Sequence, residues 1–267
     1  MKLTVLCDNN TYIDRYYTGE PALSFYIEDG DYKILFDAGY SHIFLDNAEK
    51  MGINLNKIHT IVLSHGHNDH TRGMHYFSLM KNIPLVAHPS CFNKKYESDG
   101  LYIGAPYTLD EVKKLADYRD GTQPCQLSEN LWYLGEIDRV TDFENKKPVG
   151  YELINGEKRP DFLFDDTALA YKGKDGIFVI TGCSHSGICN IIEQAKRVCD
   201  DDRVVGVIGG FHLFDDDEQL RKTIEYFEKN NIKLNYPCHC VSLVAKAKMM
   251  EKFNVIEVGV GLEIEIE

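Results

Sequence analysis

The stretch Ser64-His65-Gly66-His67-Asn68-Asp69-His70 puts three histidines and an aspartate within six positions, more metal-ligating side chains than an ordinary turn carries. The apolar run Ile61-Val62-Leu63 leads into it, and a helix-like pattern leaves it. On an extended segment side chains alternate, so His65 and His67 point to one side and can reach a single ion. Asp69 and His70 fall where the chain turns into a helix, project differently, and can hold a second ion. Neutral imidazole and carboxylate suit zinc first, and also iron or manganese. The competing reading is a solvated loop that carries these side chains by chance. A closed coordination sphere needs further ligands, and those must come from other strand ends along the same sheet edge.

The rest of the chain supplies strand ends. Leu3, Val5 and Cys7 alternate like a strand. Residues 22–27 and 32–36 read as a hairpin around Asp29-Gly30-Asp31, ending in Asp37-Ala38-Gly39, where Asp37 reads as a turn cap. Phe44, Leu45, Ala48 and Met51 have helical spacing, with Ser41 as a start and Gly52 as a stop. Met74, Phe77 and Leu79/Met80 suggest a short helix, and Pro84 to Ala87 a buried strand. From 89 to 149 the chain is rich in Tyr and Gly and broken by prolines, with a capping-box helix at Thr108-Leu109-Asp110-Glu111 and a strand at Leu131 to Leu134. This segment is expected to be an insertion over the metal site, within a single domain of 1–267. Its Tyr96, Tyr102 and Tyr107 read as packing residues or as pocket walls.

The last part returns to alternating elements. A hairpin (168–171 and 176–180) runs into Gly182-Cys183-Ser184-His185, and Ile188, Ile191, Ile192 and Ala195 then have helical spacing. A strand at 204–208 ends in Gly209-Gly210-Phe211-His212. Another, at 234–237, ends in Cys238-His239-Cys240, and a helix (243–253) and a final strand (255–263) follow. Three strand ends in succession thus present His185, His212 and His239. By contrast His42, His59, His75 and His88 lie inside regular patterns and read as structural. Cys183, Cys238 and Cys240 read as buried thiols, because Cys-x-Cys rarely places both sulfurs on one metal.

Composition limits the function classes. A formal net charge of -13 over 267 residues argues against a nucleic-acid surface, which needs a basic footprint. An anionic small-molecule substrate stays open, since bound cations reverse the local potential. Eight cysteines in a chain with ample apolar residues, without a signal-like N-terminus or a membrane-length run, fit a reduced cytoplasmic protein away from membranes.

The motifs FDAG (36–39), SHGHNDH followed by TRG (64–73), FDDTALAY (164–171), GCSHSGICNI (182–191), GGFHL (209–213) and PCHC (237–240) resemble the metallo-β-lactamase superfamily. They are similar to a branch that includes dihydropterin-methyl-ribofuranosylaminobenzene-phosphate synthases alongside many hydrolases. GEIDRVTDFE (135–144) belongs to the same likeness. The resemblance implies an α/β fold, an αββα sandwich, and two divalent ions. It places His65 and His67 on the first ion, and Asp69, His70 and His239 on the second. The superfamily's bridging aspartate is expected where the hairpin ends at His185. His185 therefore either completes the first sphere or occupies the bridge, with Asp166 and His212 as candidates for the vacancy. The chain also departs from the branch in having Arg72 where glycine is usual, so Arg72 either contacts an anionic substrate or pairs on the surface.

The leading expectation is a dinuclear metal-dependent hydrolase of a small anionic ester or phosphoester, with Asp69 orienting the attacking water. The alternatives are a transferase joining a pterin-methyl diphosphate to an aminobenzene derivative, and a non-catalytic metal-dependent ligand sensor.

Overall fold

The computed structural model describes residues 1–77 and 83–267. In chain order its strands are β1 Lys2–Cys7, β2 Ser24–Asp29, β3 Tyr32–Phe36, β4 Thr60–Val62, β5 Pro84–Ala87, β6 Lys94–Tyr96, β7 Asp117–Asp120 and β8 Cys125–Gln126. They continue with β9 Leu131–Tyr133, β10 Tyr151–Ile154, β11 Glu157–Pro160, β12 Ala168–Gly173, β13 Gly176–Thr181, β14 Val204–Gly209, β15 Leu234–Pro237 and β16 Glu263–Glu265. The α-helices are α1 Ile43–Lys50, α2 Asn68–Thr71, α3 Leu109–Leu115, α4 Ile188–Cys199, α5 Glu218–Lys229 and α6 Leu243–Met250.

Two large sheets form, ordered β16-β1-β2-β3-β4-β5-β7 and β15-β14-β13-β12-β9-β8. Side-chain alternation sorts the core into three layers. Leu3, Val5, Phe25, Ile27, Ile34 and Phe36 of the first sheet meet Leu169, Tyr171, Phe178, Ile180 and Ile208 of the second. The opposite faces carry Leu6, Tyr26 and Leu35, which pack with Phe44 and Ala48 of α1. On the second sheet Ala168, Ala170, Ile177 and Val179 pack with Ile188, Ile191, Ile192 and Ala195 of α4. Strands buried on both faces and helices buried on one stripe give the four-layer αββα sandwich.

The hairpins, α1, the capping box at Thr108 and α4 to α6 fall where the sequence put them. The expected final strand at 255–263 does not form as such. The chain there makes single bridges from Val255 to Asn235 and from Val260 to Thr11, turns at Gly261 (φ +85), and pairs with β1 only over Glu263–Glu265. A left-handed backbone at Gly261 breaks the ladder. The short helix expected around Met74 is a 3-10 turn, Arg72–Tyr76, and its continuation to Leu79 and Met80 lies outside the described residues.

Within 89–149 the structure divides the labour. β7 joins the edge of the first sheet beside β5, and β8 and β9 join the second sheet beside β12. β6 instead forms a separate three-stranded sheet with β10 and β11. Glu144 reaches from this segment to the start of α4, where its carboxylate accepts the backbone N–H groups of Cys189 (2.9 Å) and Asn190 (3.0 Å). An acidic side chain there satisfies donors that the helix leaves open.

Candidate metal centre

β3, β4 and β5 run parallel, as do β13, β14 and β15, so their C-terminal ends lie along common edges. The motif histidines follow β4, and Cys183 with His185, His212 and His239 follow β13, β14 and β15. At these ends Asp37, Ser184, His212 and His239 hold left-handed backbone, with φ of 59, 56, 50 and 52. That conformation costs an L-residue about 1–2 kcal/mol, and such strain clusters where geometry serves function.

Among the described residues two groups of ligand-type atoms result, each with its members within 4.8 Å of one another: His65, His67 and His185, and Asp69, His70, Cys183 and His239. Their neighbours fix several tautomers. Asp37 can only accept, so the Ser64 hydroxyl donates to its Oδ2 (2.7 Å) and in turn accepts from His65 Nδ1–H (2.9 Å). His65 Nε2 is therefore a bare lone pair, buried and without a partner. His70 Nδ1–H donates to the same Asp37 Oδ2 (2.7 Å), and His239 Nδ1–H donates to Asn9 Oδ1 (2.9 Å). Their Nε2 atoms, both lone pairs by this reckoning, face each other at 3.2 Å. Asp69 Oδ2 lies 3.2 Å from His239 Nε2, and Cys183 Sγ lies 3.1 Å from His70 Nε2. Bare lone pairs at that separation repel, and a cation between them, whether a proton on one ring or a metal ion, removes the repulsion.

The first group makes the same case by burial. Among the described residues, His67 Nε2 and both ring nitrogens of His185 are buried without hydrogen-bond partners. Each unpaired buried polar atom costs about 1–3 kcal/mol, which a metal ion would offset. Burial drives the imidazoles to the neutral, ligating form, pushing His67 down to about 3 and lowering His65 and His185 as well. Burial also acts to raise Asp69, but His70 and His239 outweigh it and hold the carboxyl well below its ordinary range. The donor set fits two divalent ions.

Asp166 and His212 fall outside both groups. Asp166 Oδ2 accepts from the Ser186 backbone N–H (2.8 Å) and hydroxyl, its Oδ1 stays unpartnered, and burial lifts the carboxyl to about 6. His212 packs its ring 4.4 Å from His185 and against Phe214, on the cavity wall. Arg72 lies over the Tyr40 ring at 4.3 Å and does not line the cavity, because the π-face takes up its guanidinium. The expectation for Cys183 changes: its thiol is buried, yet it sits among ligand atoms rather than apolar packing. Asp37, read from sequence as a turn cap, orients His70 directly and His65 through Ser64. His42, His59, His75 and His88 belong to neither group.

A cavity of about 480 Å³ opens over both groups, walled by Tyr40, Glu97, Ile103 and Phe214. A second, of about 500 Å³, shares Val149, His185 and His212 with it and is lined by Lys146 and Lys147. Tyr96, Tyr102 and Tyr107 line neither; Tyr96 stacks on Tyr151 at 5.2 Å, and the Tyr102 hydroxyl donates to Ala105.

A family model described as "Metallo-beta-lactamase superfamily" matches residues 17–198. The chain belongs to that superfamily. Among its curated relatives, 7,8-dihydropterin-6-methyl-4-(beta-D-ribofuranosyl)-aminobenzene-5'-phosphate synthase of Methanocaldococcus jannaschii is 32% identical, over 95% of this chain and 92% of that protein. An uncharacterised protein of the same organism is 32% identical, over 99% of this chain and 100% of its own length. A crystal structure of a metal-dependent hydrolase of the beta-lactamase superfamily superposes with a TM-score of 0.87 at 29% identity, covering 100% of this chain and 99% of that one. The superfamily fold and its habit of holding divalent metals thus meet a chain with two candidate ligand groups.

Proposed function

We propose that the protein is a dinuclear metal-dependent hydrolase of a small anionic ester or phosphoester. One observation carries the reading: buried, unpartnered imidazole nitrogens converge beside a second group of Asp, His and Cys ligand atoms, under an open cavity. His65, His67 and His185 would hold one ion, and Asp69, His70, His239 and Cys183 the other, zinc being the best match to a nitrogen, oxygen and sulfur set. Ions at such sites supply Lewis acidity and lower the pKa of water.

The protein's own groups do the rest. Asp69, 28% exposed at its side chain, is the ligand-type carboxylate that faces the cavity and, ionised, would accept a hydrogen bond from the attacking water and orient it. Asp37, Asn9 and Ser64 keep the imidazoles turned inward. Lys146 and Lys147, with no acidic partner among the described ion pairs, line the adjoining cavity and would draw an anionic substrate toward His185 and His212. The test is metal analysis of protein purified without added metal, followed by a panel of phosphoesters, carboxylic esters and thioesters. Two equivalents of metal, and hydrolysis lost in His67→Ala, are expected; no turnover across the panel by loaded protein would end the hydrolase reading.

A second reading has its own support in the 32% identity to a synthase over 95% of this chain. In it the same site transfers a pterin-methyl group from its diphosphate to an aminobenzene nucleophile, and the lysine-lined cavity receives the phosphate-bearing part. Coupled product from those two substrates, with no hydrolysis of either alone, would favour it.

A further inference from the structure

Lys95 is a fully buried lysine in β6 that takes no part in the chemistry above. Its ammonium donates to Asp161 Oδ2 and to Asp165 Oδ1, each at 2.9 Å. Burial acts against its charge, but Asp165 and Asp161 outweigh it and keep the amine protonated. Asp165 then turns its other oxygen, Oδ2, to accept the backbone N–H of Gly66 at 2.8 Å. Gly66 stands between His65 and His67, so the position of its N–H sets where both imidazoles point.

Further contacts hold the loop from the same side. A Cβ on Gly66 would meet the Cys91 carbonyl oxygen at 2.1 Å, so the backbone is pressed against the segment that carries Lys95. The Asn68 N–H donates to Ile103 O (2.8 Å), and the Ile103 N–H donates to Lys95 O (3.0 Å). Glu97 and Ile103, which flank this pairing, line the cavity. The cavity roof and the His65–His67 loop are thus tied together by one buried charge and a few backbone hydrogen bonds.

We infer that Lys95 is a positioning residue for the three-histidine metal site, acting through Asp165 on the Gly66 N–H, and that the segment roofing the cavity thereby sets the affinity of that site. The inference rests on the proposed metal reading of His65, His67 and His185. Its signature is selectivity, because the Asp69, His70, His239 and Cys183 group is oriented by Asp37 and Asn9 and not by this network.

The experiment titrates zinc into metal-free protein against a chromophoric chelator and resolves two dissociation constants. His67→Ala identifies the constant that belongs to the three-histidine site. Lys95→Met and Asp165→Ala should weaken that constant by about 10–100-fold, the usual effect of removing an outer-shell partner, and leave the other within about twofold. Asp161→Asn is the control for folding. It removes one arm of the ion pair on the side away from Gly66, so it should lower the melting temperature with both constants kept. Equal weakening of both sites in Asp165→Ala, or no change at either, overturns the inference while the metal reading stands. Failure of the parent protein to show the His67-dependent constant would instead remove the metal reading itself.

Discussion

Asp37 and His70 form a buried pair, 2.7 Å between Oδ2 and Nδ1, and the same carboxylate holds Ser64 through both its backbone N–H and its hydroxyl. One side chain at the end of β3 therefore fixes the tautomer of His70 and, through Ser64, that of His65. A histidine that donates its second nitrogen to a carboxylate is the usual support for a ligating imidazole, and its loss typically costs 10–100-fold in metal affinity or activity. Asp37→Asn should weaken zinc binding by about that factor while the fold persists, measured by chelator competition and far-ultraviolet circular dichroism. Unchanged affinity would mean that His70 is not a ligand.

Cys183 makes a spectroscopic prediction. A thiolate bound to cobalt gives an intense near-ultraviolet charge-transfer absorption that imidazole and carboxylate ligands lack. Metal-free protein reconstituted with two equivalents of cobalt should show that band. Cys183→Ser should lose it and keep the visible bands of the three-histidine site. Cys240, whose Sγ lies 3.6 Å from the Cys183 carbonyl oxygen and which belongs to neither ligand group, should tolerate serine with the band intact. A band that survives in Cys183→Ser would return Cys183 to the structural thiols.

The contrast between these residues shows what was legible in the sequence. His65, His67, Asp69 and His70 could be read because several ligands on one turn are improbable as packing, and the individual strands and helices because hydrophobic alternation and helical spacing survive in local windows; their αββα layering was implied by the motif resemblance alone. Asp37 could not: its partners lie 27 and 33 positions away, and a lone Asp after a strand is locally indistinguishable from a cap. Cys183 was hidden for a related reason, since a buried thiol at an apolar strand end has the same local signature whether it packs or ligates. A signal was present in the motif even so, because Cys183 stands two residues before a candidate ligand on the same strand end. β7, Asp-Tyr-Arg-Asp, lacks any strand pattern because it is an edge strand whose place comes from pairing with β5.

Acid should destabilise the metal-free protein. Burial pushes His67 down to about 3 and lowers His65, His185 and His212 from their ordinary 6.5. Below 6.5 the unfolded chain takes up protons at these rings that the folded chain refuses. The stability they contribute is therefore present above pH 6.5 and lost as the pH falls toward 3. Several buried groups oppose this. Burial lifts Asp166 to about 6 and also raises Asp8, Glu144 and Asp161, and His70 is raised by Asp69 and Asp37 against the pull of burial; these favour folding in acid and lose that contribution as the pH rises. Asp69 and Asp165, held below their ordinary 3.8, act with the imidazoles. The four imidazoles are expected to prevail, giving a net fall in melting temperature between about pH 6.5 and 4.5. His67→Gln should flatten the slope, and zinc should move the fall to lower pH by keeping the imidazoles deprotonated. Calorimetry of metal-free protein decides it: a melting temperature that is flat across this range contradicts the buried neutral imidazoles.

The lysine-lined cavity gives a kinetic prediction. Asp217 and Glu218 share its wall; Glu218 pairs with Lys222 (3.2 Å), while Asp217 caps the Leu220 N–H (3.0 Å) and keeps its charge, so Lys146 and Lys147 outnumber the one carboxylate left without a cation. Lys146 and Lys147 belong to neither ligand group and line the adjoining cavity, where they would act on the substrate equally in the ground and transition states. Reversing the charge in Lys147→Glu should raise KM for an anionic substrate by about tenfold with kcat nearly unchanged, and the effect should shrink as salt rises. A neutral ester of similar size should show no such change. If kcat falls while KM holds, Lys147 contributes in the transition state alone, and the cavity is then part of the reacting centre rather than a site for the substrate's remote charge.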